Sequence, residues 1–168
     1  MTTHEVDTPA PFGLGPQDGE ARWFLGQLMT FKATTESTGG RMALIEGRAA
    51  QGPASPLHVH RREAEWWYVL EGELVVWAGG SVIEAPAGSF VYGPPDVPHT
   101  FSVVSDEARF LLGTEPAGFE QLMRLCSETA GSPTLPAPEG AYAPDPALLT
   151  ELAAHHGIEI LGPPGLPA

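Results

Sequence analysis

The sequence predicts an all-β protein, a sandwich or barrel with one or two helices at its C-terminal end, and three observations carry that expectation. Short apolar runs recur about every ten residues between Trp23 and Gly113, with turn residues between them. The 168 residues include 20 glycines and 18 prolines, which favour many turns over long helices. Hydrophobic residues make up 42% of the chain, enough for one sizeable core, and the length leaves no room for a second full domain.

Taken in order, residues 1–20 are rich in Pro, Gly, Asp and Thr and read as an irregular, weakly ordered N-terminal arm. Residues 21–115 form the expected barrel. Trp23 to Lys32 reads as an entry strand, followed by a polar turn from Thr34 to Gly40 and a second run from Arg41 to Gly47. Two strands around residues 57–70 follow, then Glu73–Ala78, a Gly79-Gly80 turn, Ser81–Ala85, a turn at Pro86–Gly88 and Ser89–Tyr92. Beyond the Pro94–Asp96 turn, His99–Val104 and Ala108–Gly113 read as two strands separated by a turn at Ser105-Asp106.

Residues 116–168 change character and read as a helical and proline-rich extension packed on the barrel. Phe119, Leu122, Met123 and Leu125 have helical spacing, so a helix of about ten residues is expected outside the sheet. A proline-rich extended stretch covers residues 131–146. Asp145 as N-cap and Pro146 at the first helical position start a second helix that ends near Gly157, and Ile158–Leu161 suits a short final strand.

The chemistry concentrates at residues 52–72. In an extended strand alternate side chains share a face, so His58 and His60 project to one side about 7 Å apart at Cα, near enough to converge on one ion. Arg61, Arg62 and Glu63 read as a polar turn, with Glu63 a solvated side chain or, as the alternative, a carboxylate supporting a ligand from behind. Glu65 opens a strand that can return a carboxylate to the same ion. His4, His155 and His156 have no such partners and read as surface residues.

The spacing Gly52-x5-His58-x-His60-x4-Glu65-x6-Gly72 resembles, position for position, the first motif of the cupin superfamily. Gly88-x5-Pro94-x-Asp96-x2-His99-x3-Val103 resembles the second, with Asp96 where glycine is usual and Val103 where asparagine is usual. The resemblance implies a cupin-type antiparallel β-barrel, a double-stranded β-helix or jelly roll. It also implies one divalent transition metal per chain, Fe, Mn, Ni, Co, Cu or Zn, held by His58, His60, Glu65 and His99. Nitrogen and oxygen ligands without a nearby thiolate point to an open, reactive centre rather than a closed structural zinc site. The motif occurs once, so the chain resembles single-domain cupins.

Trp67 and Val69 share strand parity with Glu65, and Phe101 and Val103 share it with His99, so these four are the expected wall of a substrate pocket or, as an open alternative, ordinary barrel core, since the two grade into each other in small barrels. Trp66 and Tyr68 fall on the opposite parity, facing another layer, a helix or a second subunit. The layout beyond the motifs resembles the quercetin 2,3-dioxygenase-like cupins. That implies a metal-dependent dioxygenase acting on a small enolic or phenolic substrate, flavonol-like or polyketide-like, with Glu65 as both ligand and proton acceptor. Two alternatives stand beside it: a redox-neutral isomerase, lyase or cyclase of natural-product or sugar metabolism, and a non-catalytic small-molecule-binding cupin. A sugar phosphate substrate requires Arg41 or Arg109 in the pocket.

Charge narrows the partners further. A formal net charge of −13 opposes binding to nucleic acid and to anionic membrane. The single cysteine, Cys126, excludes an intrachain disulfide, and no signal-like or membrane-spanning run is present, so a cytoplasmic location is expected. Strands apolar on both faces, together with the resemblance to dimeric cupins, imply a homodimer.

Overall fold

The computed structural model describes residues 9–138 and 144–167. Its eleven strands are β1 (Glu20–Phe24), β2 (Gln27–Ala33), β3 (Ala43–Pro53), β4 (Pro56–His60), β5 (Ala64–Glu71), β6 (Glu73–Ala78), β7 (Ser81–Pro86), β8 (Phe90–Gly93), β9 (His99–Glu115), β10 (Glu128–Thr129) and β11 (Ile158–Pro164). Three helices join them: α1 (Thr35–Thr38), α2 (Phe119–Leu125) and α3 (Pro146–His155). Every strand pairing is antiparallel, and this is the cupin fold that the motifs imply.

The long β9 organises the barrel. Its first half pairs with β6 and its second half with β5, while β3 runs beside both. The two strands expected around a turn at Ser105-Asp106 are therefore one strand of 17 residues. The expected turn survives as an irregularity, since the β3 partner register jumps from Ala50↔Glu107 to Gly52↔Val103. At that corner Gly72 has φ +76°, and a Cβ there would come within 2.3 Å of the Glu107 carbonyl oxygen. The Ser105 hydroxyl accepts from Glu73 N at 2.9 Å and donates to Glu107 O at 2.8 Å, so the β5–β6 and β9 corners are locked together.

Other elements differ from expectation in instructive ways. The apolar run from Trp23 to Lys32 is two strands, because Leu25 and Gly26, both at positive φ, form a two-residue hairpin turn. The polar stretch after β2 contains the one-turn α1, capped at Thr34. The helix α2 has seven residues and does not pack outside the sheet: Phe119, Leu122 and Met123 are buried in the main core, and Leu125 alone of the four apolar positions is exposed. Its second residue, Glu120, is fully buried and fully used, accepting from Thr35 N, Thr35 Oγ1 and Gly118 N.

The N-terminal residues 9–19 carry no regular structure, and Lys32 Nζ holds them to β2 through the carbonyls of Pro16 and Asp18. The first eight residues and His4 lie outside the described residues, as does part of the proline-rich stretch. Asp145 caps α3 as expected, its Oδ1 accepting from Ala147 N and Leu148 N. Beyond α3, β11 is longer than expected and pairs antiparallel with β4, which carries two of the histidines. As a strand bonded only to β4, it tolerates Pro163 and Pro164 where a central strand would not. Among the described residues, no helix is long and apolar enough to cross a membrane.

Candidate metal centre

His58 and His60 leave β4 on one face, His99 opens β9 directly opposite His58 in register, and Glu65 comes from β5. Their ligand atoms all lie within 4.8 Å of one another, and all four residues are buried. An ion about 2.1 Å from each ligand requires donor separations of roughly 3–4 Å. Two approaches to Glu65 Oε2 fall in that range, 3.6 Å from His58 Nε2 and 3.3 Å from His60 Nε2, while His99 Nε2 at 2.7 Å is at hydrogen-bond distance.

The neighbouring carbonyls and one carboxylate aim the rings. His58 Nδ1 donates to Pro56 O at 2.8 Å, and His99 Nδ1 donates to Val97 O at 2.8 Å. His60 Nδ1 lies 3.3 Å from Glu63 Oε2. With each Nδ1 engaged, each Nε2 is left facing the common point, which is how metal-ligating imidazoles are held. His58 Nε2 and His60 Nε2 have no hydrogen-bond partner despite complete burial, an arrangement that is costly unless a cation takes their lone pairs. The residues therefore fit one divalent ion.

Glu63 corrects the sequence reading. It is not solvated but 4% exposed, tucked under the turn between β4 and β5 with its carboxylate on His60. The available signal was a carboxylate three residues after a ligand histidine in a tight turn.

Electrostatics support a cation site. Burial works to raise the Glu65 pKa, but the surrounding His58, His60 and His99 nitrogens outweigh it and hold the carboxyl well below the usual range. Burial, with help from the other two imidazoles, pushes His58 down. Burial also works to lower His60, yet Glu63 and Glu65 on either side overcome this and raise it to about 9. A proton thus sits among these carboxylates when no cation does.

A small cavity, with about 40 Å³ of room for the centres of water-sized spheres, opens onto His58 and Glu65. Of the four side chains expected on its wall, Phe101 lines it. Trp67, Val69 and Val103 belong instead to the packed core, with the Trp67 ring edge-on to His99 at 5.6 Å between centroids. Much of the wall comes from segments far along the chain: Phe119, Leu122 and Met123 of α2, and Leu149 of α3 with Ile158 and Ile160 of β11. Phe119 also packs edge-on against His60 at 4.9 Å. Sequence reasoning missed these because their parity or helical spacing says only that they are buried. Arg109 lies on the outer surface, donating to Glu71 and Glu46, and Arg41 is exposed, so the sugar phosphate reading lacks its basic group.

The two departures from the motif have local causes. Asp96 has φ +63°, the left-handed region where glycine is usual and which aspartate tolerates better than most residues. Its N–H donates to His60 O, and its carboxylate accepts from Arg61. Val103 is packed in the core, where apolar contact replaces a structural hydrogen bond.

A family model described as Cupin domain matches residues 46–112. The chain is 25% identical over 126 residues to a quercetin 2,3-dioxygenase of Bacillus subtilis, covering 75% of this chain but only 37% of that relative. It is 32% identical over 123 residues to the dimethylsulfoniopropionate lyase DddW of Ruegeria pomeroyi, covering 71% of this chain and 76% of that relative. Among solved structures, an RmlC-like cupin from Shewanella frigidimarina superposes with a TM-score of 0.56 at 19% identity, over 67% of this chain and 96% of that one. That likeness bears on the fold alone.

Proposed function

Because the chain belongs to the cupin family and gathers three histidines and a glutamate at one buried point, we propose that it is a metal-dependent dioxygenase acting on a small enolic or phenolic substrate. The observation that carries this reading is the position of His58 and Glu65, which belong to the cluster and also line an otherwise largely apolar cavity. His58, His60, Glu65 and His99 would hold the ion. A bound divalent metal supplies a positive charge that acidifies a substrate hydroxyl and, if redox-active, a route for electrons to dioxygen.

The chain's own residues do the rest. Glu65 is ionised and can accept the hydroxyl proton as the substrate oxygen approaches. Phe101, Leu112, Phe119 and Ile158 exclude bulk water, which strengthens the electrostatic interactions at the site. Their apolar surfaces suit a flat organic body, flavonol-like or polyketide-like.

A second reading, a redox-neutral lyase, is favoured by the 32% identical relative, most of whose length the chain covers. There Glu65 would take a proton from carbon rather than oxygen, and no dioxygen would be consumed. The deciding experiment loads purified protein separately with iron, manganese, nickel, cobalt, copper and zinc, offers flavonols and β-diketones, and follows dissolved oxygen and product mass. Metal-dependent incorporation of two oxygen atoms supports the dioxygenase. Turnover without oxygen, with zinc as competent as iron, supports the lyase, since zinc carries no redox chemistry.

The homodimer belongs to this same reading. Tyr68, Phe90 and Tyr92 are exposed on neighbouring strands, and β8 is hydrogen-bonded to β5 alone. A second copy would cover this aromatic edge.

A further inference from the structure

Gln27 opens β2 and is 3% exposed, an unusual place for an amide. Its Nε2 donates to Ala54 O at 2.5 Å, which fixes the orientation of the amide, because only the nitrogen can donate to a carbonyl. Its Oε1 is left buried with no hydrogen-bond partner among protein groups. Gln27 and Ala54 both line the cavity that reaches His58 and Glu65.

Ser55 of that wall is already hydrogen-bonded, in part to Thr100, which does not line it. Thr100 Oγ1 donates its single proton to Ser55 O at 2.7 Å, so in the 3.3 Å contact between the two hydroxyls Ser55 must be the donor. Ser55 Oγ thus has no proton left to donate, and it also accepts from Phe101 N at 3.2 Å. His58 and Glu65 belong to the metal cluster. Away from that cluster, Gln27 Oε1 is the side-chain acceptor among the described lining residues that makes no hydrogen bond at all.

We infer that Gln27 is a specificity-determining residue whose Oε1 accepts a hydrogen bond from a hydroxyl or N–H of the substrate. The inference rests on the proposed small-molecule chemistry at His58 and Glu65, and it adds the substrate's second feature: a compact, mostly apolar body bearing a donor apart from the oxygen that meets the metal. A ligand that supplies a donor relieves the cost of this buried, unpartnered acceptor, and an analogue lacking the hydroxyl does not.

The test uses the zinc-loaded chain and two matched pairs of probes, read by calorimetry or ligand-observed NMR. Kojic acid and allomaltol share an enolic oxygen and differ by one hydroxyl. Benzyl alcohol and toluene differ in the same way but have no enolic oxygen. In the unmutated protein the hydroxylated member of a pair binds about tenfold more tightly. Gln27→Met, close in shape but without the acceptor, reduces that ratio to about one while metal content and binding of the unhydroxylated member stay within about twofold. Gln27→Leu provides a second apolar variant, and the ratio in the unmutated protein needs no variant at all.

A Gln27-dependent preference in the benzyl alcohol pair alone supports the role of Gln27 and tells against the enolic substrate. No preference in either pair, or a preference that survives both substitutions, overturns the inference.

Discussion

Buried Glu63, in the turn that joins two ligand-bearing strands, sets its Oε2 3.3 Å from His60 Nδ1, making a carboxylate–histidine pair behind the metal cluster. Such outer partners fix the ring and raise its basicity, and their loss typically weakens metal binding by about 10–100-fold. Glu63→Ala is therefore expected to weaken affinity within that range, and Glu63→Gln, which keeps an acceptor oxygen, by less. Competition against a chromophoric chelator measures both, and an alanine variant that binds metal as tightly as the parent would remove the orienting role.

Metal content is the most direct check on the cluster. Elemental analysis should find about one divalent ion per chain, and His58→Ala combined with His99→Ala should reduce it to background. The double variant should keep its far-UV β signal, because the barrel core of Trp67, Phe110, Ile45 and Leu74 does not depend on the ion. Unchanged metal content would show that the ligands lie elsewhere.

Proton release gives the pH dependence. His60 is raised to about 9 in the metal-free site, so below that pH its imidazole carries a proton that must leave before the nitrogen can bind a cation. Calorimetry at pH 7–8 in buffers of different ionisation enthalpy should report about one proton released per ion from this residue, falling toward zero as pH rises through about 9. Apparent affinity should accordingly drop as pH is lowered. Release that does not change between pH 7 and 10 would contradict the Glu63–His60–Glu65 arrangement.

Glu120 ties α2 to α1. Replacing it with alanine strands Thr35 N, Thr35 Oγ1 and Gly118 N and should cost on the order of 3 kcal/mol of stability. Urea denaturation reads this as a lower midpoint with little change in slope. Because Phe119 is adjacent and lines the cavity, ligand binding should weaken as well.

Light scattering at tens of micromolar tests the dimer. The unmutated chain should run at twice its monomer mass, and Phe90→Lys with Tyr92→Lys should shift it to monomer while leaving the metal site occupied. A monomeric parent protein rules out an obligate dimer.

By itself the sequence determined the all-β class and the shared face of His58 and His60, while the antiparallel barrel and the joining of Glu65 and His99 to that pair were implied by the resemblance to the cupin motifs. The first two depend on short-range rules: side chains alternate along strands, turn residues break the runs, and His58-x-His60 needs only an extended backbone to share a face. The cap at Asp145 and the inward parity of Glu65, Trp67, His99 and Phe101 are legible for the same reason.

Tertiary structure decided what surrounds the ligands. Parity places Trp67, Val69 and Val103 on the inner side of the barrel, but only the packed whole shows that they fill core while Phe101 meets open space. Phe119, Leu149 and Ile158 reach the cavity because α2, α3 and β11 close over β4, a long-range arrangement that no local pattern encodes. Glu63 and Gln27 are the clearest cases. Each is a polar residue that sequence habit assigns to water, and each is buried because a distant or folded-back partner, His60 or Ala54, takes its hydrogen bond and offsets the cost of desolvation.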